Sequence, residues 1–531
     1  MAFPVGIEPI ALDQFENKHR NFTQVLKPGA SFHLVNPHLE SPWKEYKATT
    51  ANFQWLIAAA IRNSWRLRAL GRGWSLSKVA VTEGGLIDTM DLRNCFNVKA
   101  DMAHPDMVAT GRVENLLLAQ CGLSMFALNN KLEKEGRPRR CIRASGAANG
   151  QSIVGAFSTN THGAAWNFGS PQDQITGLHL ITGPDSHVWL ERASSPVVSD
   201  KFIRSLGAEL KRDDALFNAA LVSFGSFGFI HGVMVEGQPI CLLQEFKKQN
   251  VAYDAAMREC LTTLDFDKIK DRMPGPYKKK GHELYHFEVG FNPHRFAKDD
   301  PEKGLFLRVL YKTAYREDYE RLAPSPKFQY GENTFGVLQT ILDHLGPASE
   351  LLIPGLVNAL YPLAYQEGMP REGTFGEHFG TTRVRGKASS FAIGMDMKDC
   401  ATVMEMVVDA NRTDPFPGVT AMRFVKGTAA TLGFTRFERT CVMELDAMDC
   451  NAARTFHQLI LHRMETAGIA YTLHWGKVNS MIDRARLDRM YGPSVADWKK
   501  ARTTLLAPEV MEVFNNQFME RCGLHEASAV A

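Results

Sequence analysis

Apolar positions along the chain follow two periods that alternate, and this alternation divides it. Residues 51–65 carry apolar side chains at helical spacing, after which 66–70 runs as a strand. Residues 85–88 and 113–118 repeat the strand signal, and 123–135 returns to the helical one. Residues 177–181 and 188–190 bracket Gly183-Pro184-Asp185, which predicts a hairpin. Short strands interleaved with helices predict an α+β domain over 41–240, with 1–40 as an N-terminal extension. The texture changes beyond Gln238. A Lys-rich, Pro-containing connector over 266–281 reads as a surface loop. Residues 283–291, 305–311, 391–397, 420–425 and 439–445 alternate as strands, while 334–344 and 401–411 read as helices. These predict a second α+β domain with an antiparallel sheet over 241–470, followed by a C-terminal segment, 471–531. The apolar stretch 347–371 reads as a lid facing substrate.

A chain of 531 residues exceeds what one core serves, which agrees with two domains. Net charge is +3, from 61 Lys and Arg against 58 Asp and Glu, so global electrostatics give no reason to expect nucleic acid as partner. No apolar run approaches the roughly 20 residues that span a bilayer. Glu8 and Asp13 interrupt a start that lacks a basic region and an apolar core, so no secretory leader is read. The nine cysteines are scattered singly with no CxxC pair, which predicts reduced thiols in the cytoplasm and no metal site.

The string His282-Glu283-Leu284-Tyr285-His286 has the HExxH form of zinc peptidases, which need both His on one helical face. Pro274, Pro276 and Gly281 precede it, Gly290 and Pro293 follow, and its apolar residues alternate as on a strand. On a strand the two His lie about 13 Å apart, at roughly 3.3 Å per residue, too far to share an ion. No GxxxxGK loop, strand-linked GxGxxG or GxSxG elbow occurs. What remains is an ordered set of glycine-rich segments: Gly71-Arg72-Gly73-Trp74-Ser75, Gly84-Gly85, Ser145-Gly146 to Gly163, and Ser223 to Val233. Backbone N–H groups in such turns can nest a pyrophosphate, and glycine permits its close approach. Each alone reads equally well as a tight turn.

In that order the segments resemble the vanillyl-alcohol oxidase, or PCMH-type, flavoproteins, and within them the branch of sugar-lactone and alditol oxidases. The C-terminal Leu473-His474-Trp475-Gly476-Lys477 is similar to the H-W-[GA]-K string of that branch. The resemblance implies an FAD domain of two α+β subdomains, a substrate-binding cap over 241–470, and a C-terminal segment returning to the FAD domain. It implies cofactor contacts from Arg72, Gly73, Trp74 and Ser75, and from Ser145, Gly146, Asn149, Gly150, Ser152, Gly155 and Ser158. Thr159, Asn160, Thr161, His162, Gly163, Gly228, Ile230 and Lys477 complete that set. Trp74 stands where many relatives carry the His that links FAD covalently, and Gln151 where some carry a Cys, so non-covalent FAD is expected. Alditol-type relatives grip polyols with E-x-R; here the stretch is Ala421-Met422-Arg423, which implies a substrate larger or more apolar than a simple polyol.

The resemblance implies oxidation of an alcohol CH–OH by hydride transfer to the flavin, with molecular oxygen as acceptor and hydrogen peroxide as product. Arg423 and Lys477 are the candidate cations for the developing alkoxide and the reduced flavin, and His474 is either the base or a packing residue. Glu438 and Glu444 either pair with Arg423 or are solvated. The alternative is a non-redox transferase resembling the alkyl-glycerone-phosphate synthases, for which Lys278-Lys279-Lys280 would be the phosphate-binding run.

Overall fold

A computed structural model describes residues 3–322, 353–380 and 388–527. Helix Pro42–Asn63 opens the first domain nine residues upstream of its apolar pattern. Its N-cap explains why: the Ser41 side chain accepts from Lys44 N, and Pro42 takes the first helical position. Two sheets follow. In the smaller, Leu67–Leu70 lies parallel to Gly85–Asp88, which lies parallel to Phe32–Leu34, itself antiparallel to Ile7–Pro9. The N-terminal segment is therefore no appendage. Two of its strands extend this sheet, and the turn between Gln14–Glu16 and Thr23–Val25 lies over residues 73–75. The larger sheet runs in the order Glu209–Arg212, His187–Glu191, Ile175–Ile181, Phe229–Glu236, Leu116–Gln120, Cys95–Asn97.

The second domain is one antiparallel sheet of eight strands: Arg371–Gly373, Cys241–Val251, Leu305–Ala314, Glu283–Phe291, Gly418–Lys426, Arg439–Met448, Ala388–Asp396 and Tyr471–Leu473. The HExxH string begins at the edge of Glu283–Phe291, a strand as its alternation predicts. Met422 and Phe424 join the main core with Val403, Met404 and Val407 of helix Cys400–Thr413. Val419 and Ala421, one residue out of phase with them, instead meet Val357, Tyr361 and Tyr365 of helix Ile353–Ala364 and its end. The expected helix over 334–344 lies outside the described residues.

The last strand, Tyr471–Leu473, ends the cap sheet and hands the chain back to the first domain. Trp498 Nε1 donates to Val222 O at 3.0 Å, Arg502 Nε to Ser226 O at 3.0 Å, and Asn516 Nδ2 to Val79 O and Val81 O. All three side chains are buried. The core of the first domain is completed by the end of the chain.

Candidate functional site

A cavity of about 280 Å³ lies between the two domains. Its near wall is the 71–75 turn, which leaves the Leu67–Leu70 strand with Gly73 at φ +64°, a left-handed conformation suited to glycine. Residues from the N-terminus brace this turn: Lys18 N donates to Gly73 O at 2.9 Å and Asn17 Nδ2 to Ser75 O at 2.9 Å. The Trp74 ring is held edge-on to His19, 5.8 Å between centroids, with Lys18 Nζ 4.7 Å above it. A Cβ on Gly150 would sit 2.2 Å from the same ring, so glycine is required there for the two segments to meet.

Of the cofactor residues expected from sequence, Arg72, Gly73, Trp74, Ser75, Gly146, Ser152 and Gly155 line this cavity. Ser158, Thr159, Thr161, His162, Gly228, Ile230 and Lys477 line it too, with Arg423 and His474. Five others stand outside it. Ser145 Oγ bonds Asn149 Oδ1 at 2.5 Å and shapes the loop, Gly150 backs Trp74, and Asn160 Nδ2 donates to Thr435 Oγ1 across to the cap. Gly163 and Ser145 face a small adjoining space that Arg423 also borders. Phe15, Asn17, His19 and Phe22 line the main cavity from the N-terminal segment, a contribution that no motif announces.

The far end of the cavity is charged. Arg423 Nε donates to Glu288 Oε2 at 2.8 Å, from the position directly opposite on the neighbouring strand. The other side of its guanidinium meets Glu444 Oε2 at 3.1 Å. Lys477 Nζ donates to Glu444 Oε1 at 2.6 Å and lies 3.9 Å from Asp446. Beyond Glu288, Arg308 stands 3.7 Å away and binds Glu245 at 2.6 Å. One charged side chain from each of five successive strands thus forms a row, Glu245, Arg308, Glu288, Arg423, Glu444, of alternating sign. Buried charge is tolerable only when each ion has such partners.

Burial opposes the ionisation of Glu444, yet Arg423 and Lys477 hold it well below the usual carboxylate range. Glu288 is held low in the same way, against burial, by Arg423, His286 and Arg308. Asp446 differs. Burial pushes its carboxyl up to about 6, with Lys477 pulling it back and Glu444 adding to the rise. Ser390 Oγ donates to Asp446 Oδ1 at 2.5 Å. His474 is kept neutral by burial and by His162 and Lys477, and its Nδ1 accepts from Gly476 N at 3.0 Å. That acceptor role assigns the ring proton to Nε2.

Ala421, which breaks the E-x-R pattern, lies opposite Glu444 in the ladder. The carboxylate is supplied across the sheet rather than along the strand. Glu444 therefore partners Arg423, while Glu438 is exposed. Glu288, Asp446 and Ser390 were the residues missed. For Glu288 and Asp446 the signal is the spacing of two between polar or charged positions in otherwise apolar strands, as in Glu444 and Asp446, or His286 and Glu288; Ser390 carries no such signal. Residues 347–352 of the expected lid lie outside the described residues, and the described remainder reads differently: Tyr365 Oη donates to Glu288 Oε1 at 3.1 Å, and no described residue of 353–371 lines the main cavity.

The arrangement fits a flavin dinucleotide. Among the described residues, Arg72 Nε, Trp74 Nε1, Gln151 Oε1 and Ser158 Oγ are buried along this cavity without a protein hydrogen-bond partner. Comparison with solved structures decides the architecture. The cholesterol oxidase of B. sterolicum superposes over 97% of both chains with a TM-score of 0.65 at 14% identity. The fold is the PCMH-type FAD-binding fold. A solvent-stable cholesterol oxidase shares this PCMH-type fold over 98% of the present chain, again at TM-score 0.65 and 14% identity. In sequence, the chain is 28% identical over 188 residues to an L-gulono-1,4-lactone dehydrogenase of Mycobacterium tuberculosis, 35% of this chain and 36% of that one. A D-arabinono-1,4-lactone oxidase of Kluyveromyces lactis is 26% identical over 175 residues, 33% of this chain and 28% of that one. The chain thus matches about a third of the length of these curated relatives. No family model matches it. The resemblance to FAD-linked sugar-lactone oxidases stands on these relatives together with the PCMH-type fold.

Proposed function

We propose that this protein is an FAD-dependent oxidoreductase that oxidises a CH–OH group of a hydroxylated small molecule and holds FAD without a covalent link. The observation that carries the reading is the continuity of one cavity from the glycine turn at 71–75 to Arg423, Glu444, Asp446 and Lys477. Bound FAD supplies the acceptor for the hydride leaving the substrate carbon. Arg72, Trp74, Gln151 and Ser158 would hold it through their unpartnered polar atoms. Trp74 has no basic ring nitrogen for a covalent bond.

Asp446 is our candidate base. It is the carboxyl of the cluster raised toward neutrality, and with Oδ1 accepting from Ser390, Oδ2 takes the hydroxyl proton. His474 suits this role less, because its free nitrogen carries the proton and acts as a donor. Glu444 stays ionised and aims Arg423 and Lys477, whose charges stabilise the oxygen as its proton departs. Glu444 also restores the carboxylate missing at Ala421, which removes the main argument for an apolar substrate. We therefore favour a polyhydroxylated alcohol, such as a sugar lactone or alditol, with molecular oxygen as electron acceptor. Nothing favours the transferase alternative: Lys278, Lys279 and Lys280 are exposed and none lines the cavity.

The test is anaerobic bleaching of the flavin with L-gulono-1,4-lactone, D-arabinono-1,4-lactone, alditols, a sterol and long-chain alcohols, followed by peroxide detection on admitting air. Bleaching by lactones or alditols is expected. Bleaching by the sterol alone would return the substrate to the apolar class, and no bleaching by any alcohol would reject the reading.

A further inference from the structure

Among the buried groups that the proposed chemistry leaves unused is a pair of cysteines from different domains. Cys141 ends the short Arg140–Cys141 strand, five residues before Gly146 of the cavity wall, and Cys241 begins the cap strand Cys241–Val251. Their sulfurs stand 4.0 Å apart. Gln238, opposite Cys141 in the ladder, points its amide at both, 3.5 Å from Cys141 Sγ and 4.0 Å from Cys241 Sγ. Lys312 Nζ holds the other end of that amide, donating to Gln238 Oε1 at 3.2 Å.

We propose that Cys141 and Cys241 are a redox modification site, closing to a reversible disulfide that ties the first domain to the cap when a hydroperoxide reaches them. The two thiols are inequivalent. Cys141 is fully buried, and burial pushes its thiol far up, whereas Cys241 is half-buried. The Cys141 hydrogen bond lowers the Cys241 thiol against its burial, and Lys312 adds to the lowering. A lowered, partly exposed thiol beside a second one is the arrangement that oxidises selectively. The Cys241 thiolate attacks the peroxide: an S–O bond forms, the O–O bond breaks, and hydroxide leaves as water once protonated. The Cys141 sulfur then attacks the sulfenic acid. The S–S bond forms, the S–O bond breaks, and the thiol proton leaves with hydroxide as a second water. Two thiols are oxidised while one peroxide is reduced to two waters.

Cys400 and Cys441 are an internal control, because both are completely buried and neither offers an entry for the oxidant. The experiment treats the intact, purified protein with hydrogen peroxide, counts thiols after denaturation, and maps peptides without reduction. The nine thiols present before treatment should fall to seven, with one new cross-linked peptide pair, Cys141 to Cys241, lost again on adding dithiothreitol. Cys141→Ser should halt Cys241 at the sulfenic acid, captured by dimedone, and Cys241→Ser should leave Cys141 unmodified. If either variant fails to fold, the relative alkylation rates of the nine wild-type thiols decide instead, with Cys241 expected to react first. Absence of the cross-link at peroxide doses that modify other cysteines, or Cys241 reacting no faster than Cys95 and Cys450, the other partly exposed thiols, would overturn the proposal. Peroxide is added from outside, so the outcome does not depend on the flavin reading.

Discussion

Asp446 and Glu444 are two residues apart on one strand and ionise in opposite directions, because Glu444 sits between two cations and Asp446 beside one. If Asp446 takes the proton, flavin reduction rises with pH through about 6 and levels off above it, since the base must be ionised. Asp446→Asn should remove that acid limb and slow reduction by roughly 10²–10⁴-fold. The stability effect has the opposite sign. A carboxyl raised in the folded state contributes fully below its unfolded value and loses that contribution as pH rises through about 6. The variant should therefore be no less stable than wild type at pH 7.5, as read by urea unfolding. A retained acid limb would point to another base.

Arg423 and Lys477 separate by burial. Arg423→Met leaves Glu288 and Glu444 without their shared cation, an expected cost of about 3–5 kcal/mol in unfolding free energy. Lys477, at the more open end with a side chain 17% exposed, should lose little stability when changed to Met. It should still slow anaerobic flavin reduction by roughly a hundredfold. Equal losses of stability in the two variants would contradict this division. The sequence placed Arg423, Lys477 and His474 through short local strings. It did not place Glu288 opposite Arg423, because register between strands is fixed by pairing over long separations rather than by neighbours in the chain.

At the scale of elements, most of the periodic segments were legible, but the eleven-residue strand Cys241–Val251 was not among those expected and neither were the three-residue strands. Glu283–Phe291 has the bounds its alternation predicts, and Gly418–Lys426 differs from expectation only at its ends. Ile7–Pro9 and Phe32–Leu34 have three residues each, too few to show a period, so their segment read as an extension. Helix Asn451–Thr466 was also not among the expected elements, although Ala453, Phe456, Ile460, Leu461 and Met464 carry the helical spacing. The 71–75 turn carries two tests. Gly73→Val forces a β-branched residue to φ +64° beside Phe15, and should purify with little bound flavin, seen as a fallen ratio of 450 to 280 nm absorbance. Acid precipitation of wild type should leave all flavin in the supernatant, because Trp74 offers no linking nitrogen. Yellow colour in the pellet would turn attention to His19 or Cys121, which also line the cavity.

On the scale of the whole molecule, the two domains share a wall rather than a linker. Leu76 N donates to Gly476 O at 2.8 Å and Ser77 Oγ to Trp475 O at 2.8 Å, so the string that follows the last cap strand is fastened to the glycine turn. Trp498→Ala should cost about 3–5 kcal/mol. It should also weaken flavin retention, since Trp498 packs against Phe224, which borders the cavity, with ring centroids 5.6 Å apart. Unchanged retention in a destabilised variant would separate the C-terminal packing from the cavity. The same interleaving bears on biosynthesis. Arg68, on the strand that feeds the glycine turn, donates to Phe224 O and to Met519 Sδ, near the far end of the chain. A nascent first domain must therefore wait for the cap and the last helices to leave the ribosome, tens of seconds at roughly 5–20 residues per second. During that interval its apolar surface around Val222 and Phe227, which Trp498 covers in the finished protein, stays exposed to water.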